Sequence, residues 1–277
     1  MTALRLFSAA IIPVTIVASM SGYGIENRYN VFIPYVPTPE FIVDRMLEMA
    51  EIGKDDLLLD LGSGDGRIVI AAAQRYGARG RGVEIDPKLV EESKENARKV
   101  GVDHLAEFVA QDMFVAKMAD ASVLSLYVLT ASNLELRPRI LSEMKPGSRV
   151  VSHQFSMGAW IADKQESYGD IQIYMWYVPA RVAGTWRLDD GKRTYMLTIE
   201  QSYQDIGGTM KIGDRTLPLR LTKLRGAEID FAVDLGEERP IVYRGRVSDG
   251  IMEPRPSPGA VPGWRAVRIT APVQEIK

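Results

Sequence analysis

The sequence contains no cysteine and only two histidines, His104 and His153. The absence of cysteine excludes disulfides, thiolate metal ligands and a cysteine nucleophile. With so few histidines a multi-histidine metal centre is not expected, and we predict no metal. The net charge of −2 and the pI of about 5.9 give no electrostatic basis for binding nucleic acid through bulk charge. The 277 residues, 46% of them hydrophobic and 25% charged, suffice for one large or two modest globular domains.

Residues 1–24 form a distinct first segment. One basic residue, Arg5, precedes an apolar run from Leu6 to Met20 that ends in small residues. This pattern is typical of a secretory signal or membrane anchor, although a spanning helix needs roughly 20 apolar residues and Pro13 interrupts the run. The alternative is an extra terminal element of a soluble protein. Two locations are therefore open. If residues 1–24 are a signal or anchor, the protein is exported or associates with a membrane through residues 4–20; otherwise it is cytoplasmic.

Residues 25–180 show a strand–helix alternation typical of an α/β, Rossmann-like domain. Thr38 is predicted to cap a first helix in which Pro39 is the first residue. Asp86 and Pro87 open a later helix. The predicted parallel strands cover residues 57–61, 79–85, 106–112, 121–129 and 146–155. A ligand is expected at their carboxyl ends, where the strand order reverses.

After about residue 180 the pattern changes to short runs with two-residue alternation, separated by turn pairs such as Asp190-Gly191 and Asp249-Gly250. Residues 181–277 are therefore predicted to form a small antiparallel β domain, a sandwich or a partly open barrel. Trp186, Tyr243 and Trp264 are expected in its core.

The stretch "LLLDLGSGDGRIVIAAA", residues 57–73, places a glycine-rich turn between the first strand and a helix. Such a loop brings backbone N–H groups close to a ligand. A triphosphate loop would need Lys followed by Ser or Thr where Arg67 and Ile68 stand, and a dinucleotide loop would need glycine in place of Arg67. Asp60, just before the glycines, suits a cofactor with a cationic amino group, which favours S-adenosyl-L-methionine.

Two acidic positions support the same cofactor. Glu84 ends the second strand about 20 residues after the glycines, where a carboxylate can accept both ribose hydroxyls. Asp112 and Met113 follow the third strand and are predicted to contact the adenine amino group and ring. The alternatives are a tight turn for the glycines, a solvated strand end for Glu84 and a helix cap for Asp112.

The motifs "LLLDLGSGDGRI", "GVEIDP" and "QDMF" resemble class I S-adenosylmethionine-dependent methyltransferases over residues 35–178. With "PYVPTPEFIVDRML", the chain resembles the protein-lysine methyltransferases that modify the ATP synthase c subunit and the adenine nucleotide translocase, and their prokaryotic relatives. The resemblance implies a seven-stranded sheet with a final antiparallel strand, drawn partly from residues 171–180. It also implies a lid at residues 35–38. The β domain and the N-terminus depart from the eukaryotic members. The predicted cofactor contacts are Tyr35, Thr38, Asp60, Gly62, Ser63, Gly64, Gly66, Glu84, Ile85, Asp112 and Met113.

The acceptor site is predicted past the fourth and fifth strands. The candidates are Tyr127, Asn133, His153 and Phe155. Tyr127 is a candidate for an aromatic wall, Asn133 for orienting an amine, and His153 for accepting a proton. Core packing of Tyr127, helix capping by Asn133 and an ordinary strand role for His153 compete with these roles. The expected activity is methylation of a protein lysine. The alternatives are a small-molecule methyltransferase and a non-catalytic cofactor-binding or scaffold protein.

Overall fold

The computed structural model describes residues 35–236 and 238–270. Residues 1–24, where the signal-like segment is predicted, lie outside this part of the chain. The chain divides into two compact units, one that ends at Tyr35 and one that begins at Val36. No helix in the described residues is long and apolar enough to cross a membrane.

The first half of the second unit is a seven-stranded sheet in the order β3-β2-β1-β4-β5-β7-β6. Strands β1 to β5 are parallel, and β7 runs antiparallel between β5 and β6. The strand order reverses between β1 and β4. The strands are β1 (Leu57–Leu61), β2 (Arg79–Glu84), β3 (Ala106–Ala110), β4 (Val123–Leu126), β5 (Arg149–His153), β6 (Lys164–Tyr168) and β7 (Ile171–Tyr177). This arrangement confirms the predicted Rossmann-like class and its antiparallel ending.

Four α-helices and one short 3₁₀ helix accompany the sheet in the described residues. They are α1 (Glu40–Met49), α2 (Arg67–Tyr76), α3 (Pro87–Lys99), α4 (Thr130–Glu143) and the 3₁₀ helix Met113–Val115. As predicted, Asp86 caps α3 by accepting a hydrogen bond from the Lys88 N–H at 2.8 Å. The prediction for Thr38 was wrong: Pro39 is the cap residue of α1, without a side-chain bond, and the Thr38 hydroxyl bonds elsewhere.

Strand β6 was not predicted, because its sequence KQESY carries no apolar alternation. It lies at the edge of the sheet, where one polar face meets solvent. Its pairing with β7 and the bidentate Arg45–Glu166 ion pair to α1 hold it in place. The strand is therefore specified by tertiary contacts rather than by its own pattern.

The second half is a closed antiparallel barrel in the order β10-β11-β12-β13-β14-β15-β8-β9. Its strands are β8 (Gly184–Asp189), β9 (Thr194–Ser202), β10 (Asp205–Ile212), β11 (Arg215–Arg225), β12 (Glu228–Val233), β13 (Ile241–Ser248), β14 (Ile251–Pro254) and β15 (Arg265–Thr270). The predicted β domain is present, and it is a closed barrel rather than a sandwich or a partly open one.

Aromatic side chains fill the interior of the barrel. Trp186, Phe231, Tyr243 and Trp264 are each at most 2% exposed. Tyr243 stacks on Phe231 with the ring centroids 5.0 Å apart, and Trp264 meets Tyr243 edge-on at 5.6 Å. The prediction that Trp186, Tyr243 and Trp264 are core residues is confirmed.

Candidate active site

The glycine loop lies between β1 and α2 at the carboxyl edge of the sheet. Gly62, Gly64 and Gly66 have φ values of +80°, +54° and +83°, which L-residues with side chains rarely adopt. A Cβ on Gly66 would lie 2.7 Å from the Phe108 ring, so the turn also needs glycine for space. Gly66 is the cap residue of α2, and the N-terminal N–H groups of that helix begin here.

Asp60, at the end of β1, is 2% exposed. Its Oδ1 accepts a hydrogen bond from the Ser125 hydroxyl at 2.7 Å, and its Oδ2 has no partner among the described residues. Burial raises the pKa of the Asp60 carboxyl to about 7, and the nearby Glu84 and Asp65 add to that rise. Ser63, in the loop, also has a buried hydroxyl without a hydrogen-bond partner in the described part of the chain. The site therefore offers buried acceptors to a cationic group.

Glu84 closes the glycine loop from the neighbouring strand. Its Oε2 accepts from the Gly64 N–H at 3.0 Å, and its Oε1 accepts from the N–H groups of Ile85 at 2.8 Å and Asp86 at 3.1 Å. Ile85 is 45% exposed beside it. The carboxylate is thus fixed at the carboxyl end of β2, with its orientation set by backbone groups.

Asp112 follows β3, whose last residue, Ala110, pairs with Glu84. The Asp112 carboxylate caps the 3₁₀ helix by accepting from the Phe114 N–H at 2.8 Å. The capping alternative for Asp112 is thus realised, and the second carboxylate oxygen is not used by that bond. Met113 begins the 3₁₀ helix and packs against the core on this side of the sheet.

Thr38, just before α1, contacts both the glycine-loop side of the site, at Arg67, and the end of β5, at His153. Its backbone carbonyl accepts from Arg67 Nη1 at 2.9 Å, at the start of α2. Its hydroxyl lies 3.1 Å from His153 Nδ1, at the end of β5. Tyr35, predicted to share this lid, is the last residue of the N-terminal unit and is about half exposed.

His153, Tyr127 and Phe155 form an aromatic group at the carboxyl ends of β4 and β5. The rings of Tyr127 and His153 stack with centroids 3.8 Å apart, and Phe155 lies 6.1 Å from Tyr127. Burial lowers the pKa of His153 to about 4. The imidazole is therefore neutral at physiological pH.

Asn133 lies inside α4 and is fully buried. It does not cap that helix, whose cap residue is Leu129. Its Nδ2 donates to the Phe155 carbonyl at 3.0 Å, while its Oδ1 has no partner among the described residues. The amide therefore holds the chain after β5 and keeps one acceptor oxygen unused.

Sequence reasoning missed three residues that shape this site. Ser125 positions the Asp60 carboxylate, and Arg67 ties Thr38 to the glycine loop. Gln154 has a φ of +68°, and its side-chain amide is anchored to the strand β7 region through Asp170 and Gln172. A non-glycine residue in this conformation marks backbone that its surroundings must hold in place. Nothing in the local sequence signals the conformation.

A reversed strand order, a glycine loop after β1 and an acidic residue at the carboxyl end of each of β1, β2 and β3 define the class of S-adenosylmethionine-dependent methyltransferases. The residues present fit that cofactor. Asp60 Oδ2 is a buried acceptor without a partner among the described side chains, as a cationic amino group requires, and the loop glycines leave no Cβ in the way.

Comparisons with known proteins agree with this class. The model of the ANTKMT methyltransferase domain matches residues 60–164. A protein-lysine N-methyltransferase of Saccharolobus islandicus (strain REY15A) is 43% identical over 133 residues, which cover 48% of this chain and 83% of the relative. The lysine N-methyltransferase of the ATP synthase c subunit from Xenopus laevis is 30% identical, covering 47% of this chain and 57% of the relative.

Among solved structures, an RNA methyltransferase from Salinibacter ruber in complex with S-adenosyl-L-homocysteine has a TM-score of 0.52 and 48% identity. The match covers 53% of this chain and 96% of that chain. This chain belongs to the ANTKMT methyltransferase domain family. It is an S-adenosylmethionine-dependent methyltransferase, which confirms the predicted class, enzyme activity and cofactor. The matched family region ends at residue 164, before the barrel begins.

Proposed function

We propose that the enzyme transfers a methyl group to the side-chain amine of a protein lysine. The observation that carries the proposal is an aromatic cluster at the carboxyl ends of β4 and β5, formed by the buried His153 and the half-buried Tyr127 and Phe155. The names of the Saccharolobus and Xenopus relatives support a protein-lysine acceptor. The net charge of −2 favours a protein over RNA, although the Salinibacter relative is named an RNA methyltransferase.

The proposed cofactor contacts follow the chemistry of each position. Asp60 takes the amino group of the methionine end, and the buried Ser63 hydroxyl in the loop is a second contact. Gly62, Gly64 and Gly66 let the cofactor come close to the loop backbone. Glu84 and Ile85 take the ribose and one face of the adenine. Asp112 takes the adenine amino group, and Met113 packs on the ring. Thr38 covers the methionine end.

When bound, S-adenosylmethionine supplies an electrophilic methyl group on a sulfonium. The acceptor nitrogen must approach that carbon in line with the C–S bond, with its lone pair free. Tyr127 and Phe155 desolvate the amine, which lowers its pKa and favours loss of the proton to water before transfer. His153, with its pKa lowered to about 4, stays neutral and holds Thr38 rather than acting as the base. Asn133 Oδ1 is the proposed acceptor for an amine N–H.

We also propose the domain limits 25–180 for the methyltransferase domain and 181–277 for the β domain. Residues 1–24 are proposed as a signal-like or anchoring segment, with membrane association through residues 4–20. Sequencing the N-terminus of protein isolated from its host tests that segment. A chain beginning at Met1 would exclude signal cleavage.

The acceptor class is tested by incubating the purified enzyme with tritium-labelled S-adenosylmethionine and soluble and membrane fractions of a host lysate. We expect label that resists ribonuclease, is lost on protease treatment and appears as Nε-methyllysine after acid hydrolysis. Label lost to ribonuclease would replace the proposal with an RNA acceptor, and label in small molecules with a metabolite acceptor. Binding of S-adenosylhomocysteine without labelling of any fraction would favour a scaffold. Glu84→Ala, which is expected to weaken cofactor binding, serves as the comparison variant and should give less label.

A further inference from the structure

The chain after β5, residues 154–163, carries one wall of the proposed acceptor pocket and then leads to β6. It is called the post-β5 loop below. At its start the Phe155 carbonyl accepts hydrogen bonds from Asn133 Nδ2 at 3.0 Å and from the Ser152 hydroxyl at 2.7 Å. Further along, the Met157 carbonyl accepts from Arg137 Nη1 at 2.7 Å. The position of Phe155 therefore depends on how firmly this loop is held.

The barrel holds the other end of the post-β5 loop. The turn between β9 and β10 inserts Tyr203 into the core of the sheet domain, where this side chain is 6% exposed. Its ring stacks on Trp160 with centroids 6.1 Å apart and 10° between the planes. The Arg137 guanidinium lies 5.4 Å from the Tyr203 ring centroid. Arg137 thus contacts the loop and the barrel at once.

A second contact from the same turn fixes the loop backbone. Gln204 Nε2 donates to the Ile161 carbonyl at 2.6 Å. Tyr203 has a φ of +53°, a conformation that a bulky residue adopts only when its surroundings impose it. The turn keeps a large aromatic residue where glycine or asparagine would be the relaxed choice. We attribute the left-handed conformation of Tyr203 to its packing against Trp160 rather than to the requirements of the turn.

From these contacts we propose that the barrel positions the acceptor pocket, with Tyr203 and Gln204 as the positioning residues. Tyr203 and Gln204 of the barrel contact Trp160 and Ile161 near the end of the post-β5 loop. Asn133 holds Phe155 near its start. With both ends held, the loop restricts the position of Phe155. The assignment of the pocket to the acceptor rests on the proposed function. The two positioning residues belong to the barrel, which lies outside the matched family region.

The test compares Tyr203→Ala, Tyr203→Phe and Tyr195→Ala in the full chain. Tyr203→Phe keeps the stacked ring. Tyr195→Ala removes a tyrosine from the interior side of β9, 5% exposed and away from the loop. Hydrogen exchange measured by mass spectrometry reports loop protection, and calorimetry reports the affinity for S-adenosylhomocysteine.

We expect Tyr203→Ala to accelerate amide exchange in residues 154–163 by about tenfold or more, with the cofactor affinity changed less than about twofold. Tyr203→Phe should match the wild type, and Tyr195→Ala should leave the loop protected. In the lysate assay Tyr203→Ala should raise the acceptor concentration needed for half-maximal labelling more than it lowers the maximal rate. Unchanged loop exchange in Tyr203→Ala would overturn the inference. Because exchange is read without any acceptor, this outcome is separate from failure of the lysine proposal.

Discussion

The surroundings of Asp60 determine its protonation state and the kind of ligand group it can bind. A carboxyl group this deeply buried keeps its proton until neutral pH, because the charged form has lost its water. The Ser125 hydroxyl uses one oxygen and leaves the other without a partner among the described residues. A cationic ligand group beside Asp60 would restore the charged form. Binding of such a ligand must then be coupled to release of a proton.

The first prediction is that cofactor affinity falls as the pH is lowered through about 7, by up to about tenfold per pH unit. The sign follows from burial: the free carboxyl has a raised pKa, and the proposed ligand cation lowers it, so binding favours the ionised form. Calorimetry with S-adenosylmethionine in two buffers of different ionisation enthalpy measures both the affinity and the released proton. Asp60→Asn should bind more weakly and without this pH dependence. Proton uptake on binding would contradict the placement.

His153 gives a second prediction at this scale. Its pKa, lowered to about 4 by burial, keeps the ring neutral from pH 5 upward, and folding loses stability as the pH falls from about 6.5 towards 4. We expect the ring resonances of His153 in NMR spectra to stay constant above about pH 5 and to move near pH 4. His153→Gln assigns the signal, since the chain has only two histidines. A His153 signal that titrates between pH 6 and 7 would restore its candidacy as a base.

The sequence predicts which acidic residues lie at the site, but not the hydrogen-bond partners or the burial of the other site residues. Asp60, Glu84 and Asp112 are recognisable because each lies at the carboxyl end of a predicted parallel strand, and such ends meet at one edge of a sheet. Thr38 was misassigned to a helix cap because its hydroxyl bonds to a residue 115 positions away. Local rules for caps carry no signal for such a partner. The low basicity of His153 depends on burial, which the sequence does not give.

Among the secondary-structure elements, the sequence analysis did not predict one polar strand and one short strand. The apolar runs of β1, β4 and β5 identify strands buried on both faces. The polar edge strand β6 and the four-residue β14 lack such a pattern. Without β14 the barrel domain would have seven strands, and its first and last strands would run parallel. The eighth strand lets β15 pair antiparallel with β8 and removes the edges.

The turn from β1 into α2 gives the third prediction. Gly66→Ala should lower the free energy of unfolding by about 3 kcal/mol, from left-handed backbone strain and the clash of the new Cβ with Phe108 and Ser93. Gly101→Ala is the matched control, because its φ is +74° and a Cβ would meet nothing within 4 Å. It should cost about 1 kcal/mol. Urea unfolding measures both values, and equal losses would show that the loop tolerates a side chain.

Within the unit that begins at Val36, the sheet and the barrel share a packed boundary in the described residues. Tyr177 ends β7, and Arg225 at the end of β11 lies over its ring at 4.2 Å from the centroid. The Ala180 N–H donates to the Gly226 carbonyl at 2.8 Å, so the barrel turn also bonds to the chain leaving the sheet. A Cβ on Gly226 would come within 2.7 Å of the Gly147 Cα. The two domains therefore meet backbone to backbone.

The last prediction tests how far stability depends on that boundary. Gly226→Ala should cost more than Gly213→Ala, although both replace a glycine with φ near +60° in a two-residue hairpin turn of the barrel. A Cβ on Gly213 meets nothing within 4 Å, so its substitution carries the strain alone, about 1 kcal/mol. At Gly226 the Gly147 backbone cannot yield as a side chain does, and the barrel must move away from the sheet. We expect an additional loss of about 1–3 kcal/mol in urea unfolding of the full chain. Calorimetry should then separate the barrel and sheet transitions, since displacement removes the contacts that couple them. If the two variants unfold alike, the boundary is loose and the Tyr203 turn alone would have to hold the post-β5 loop.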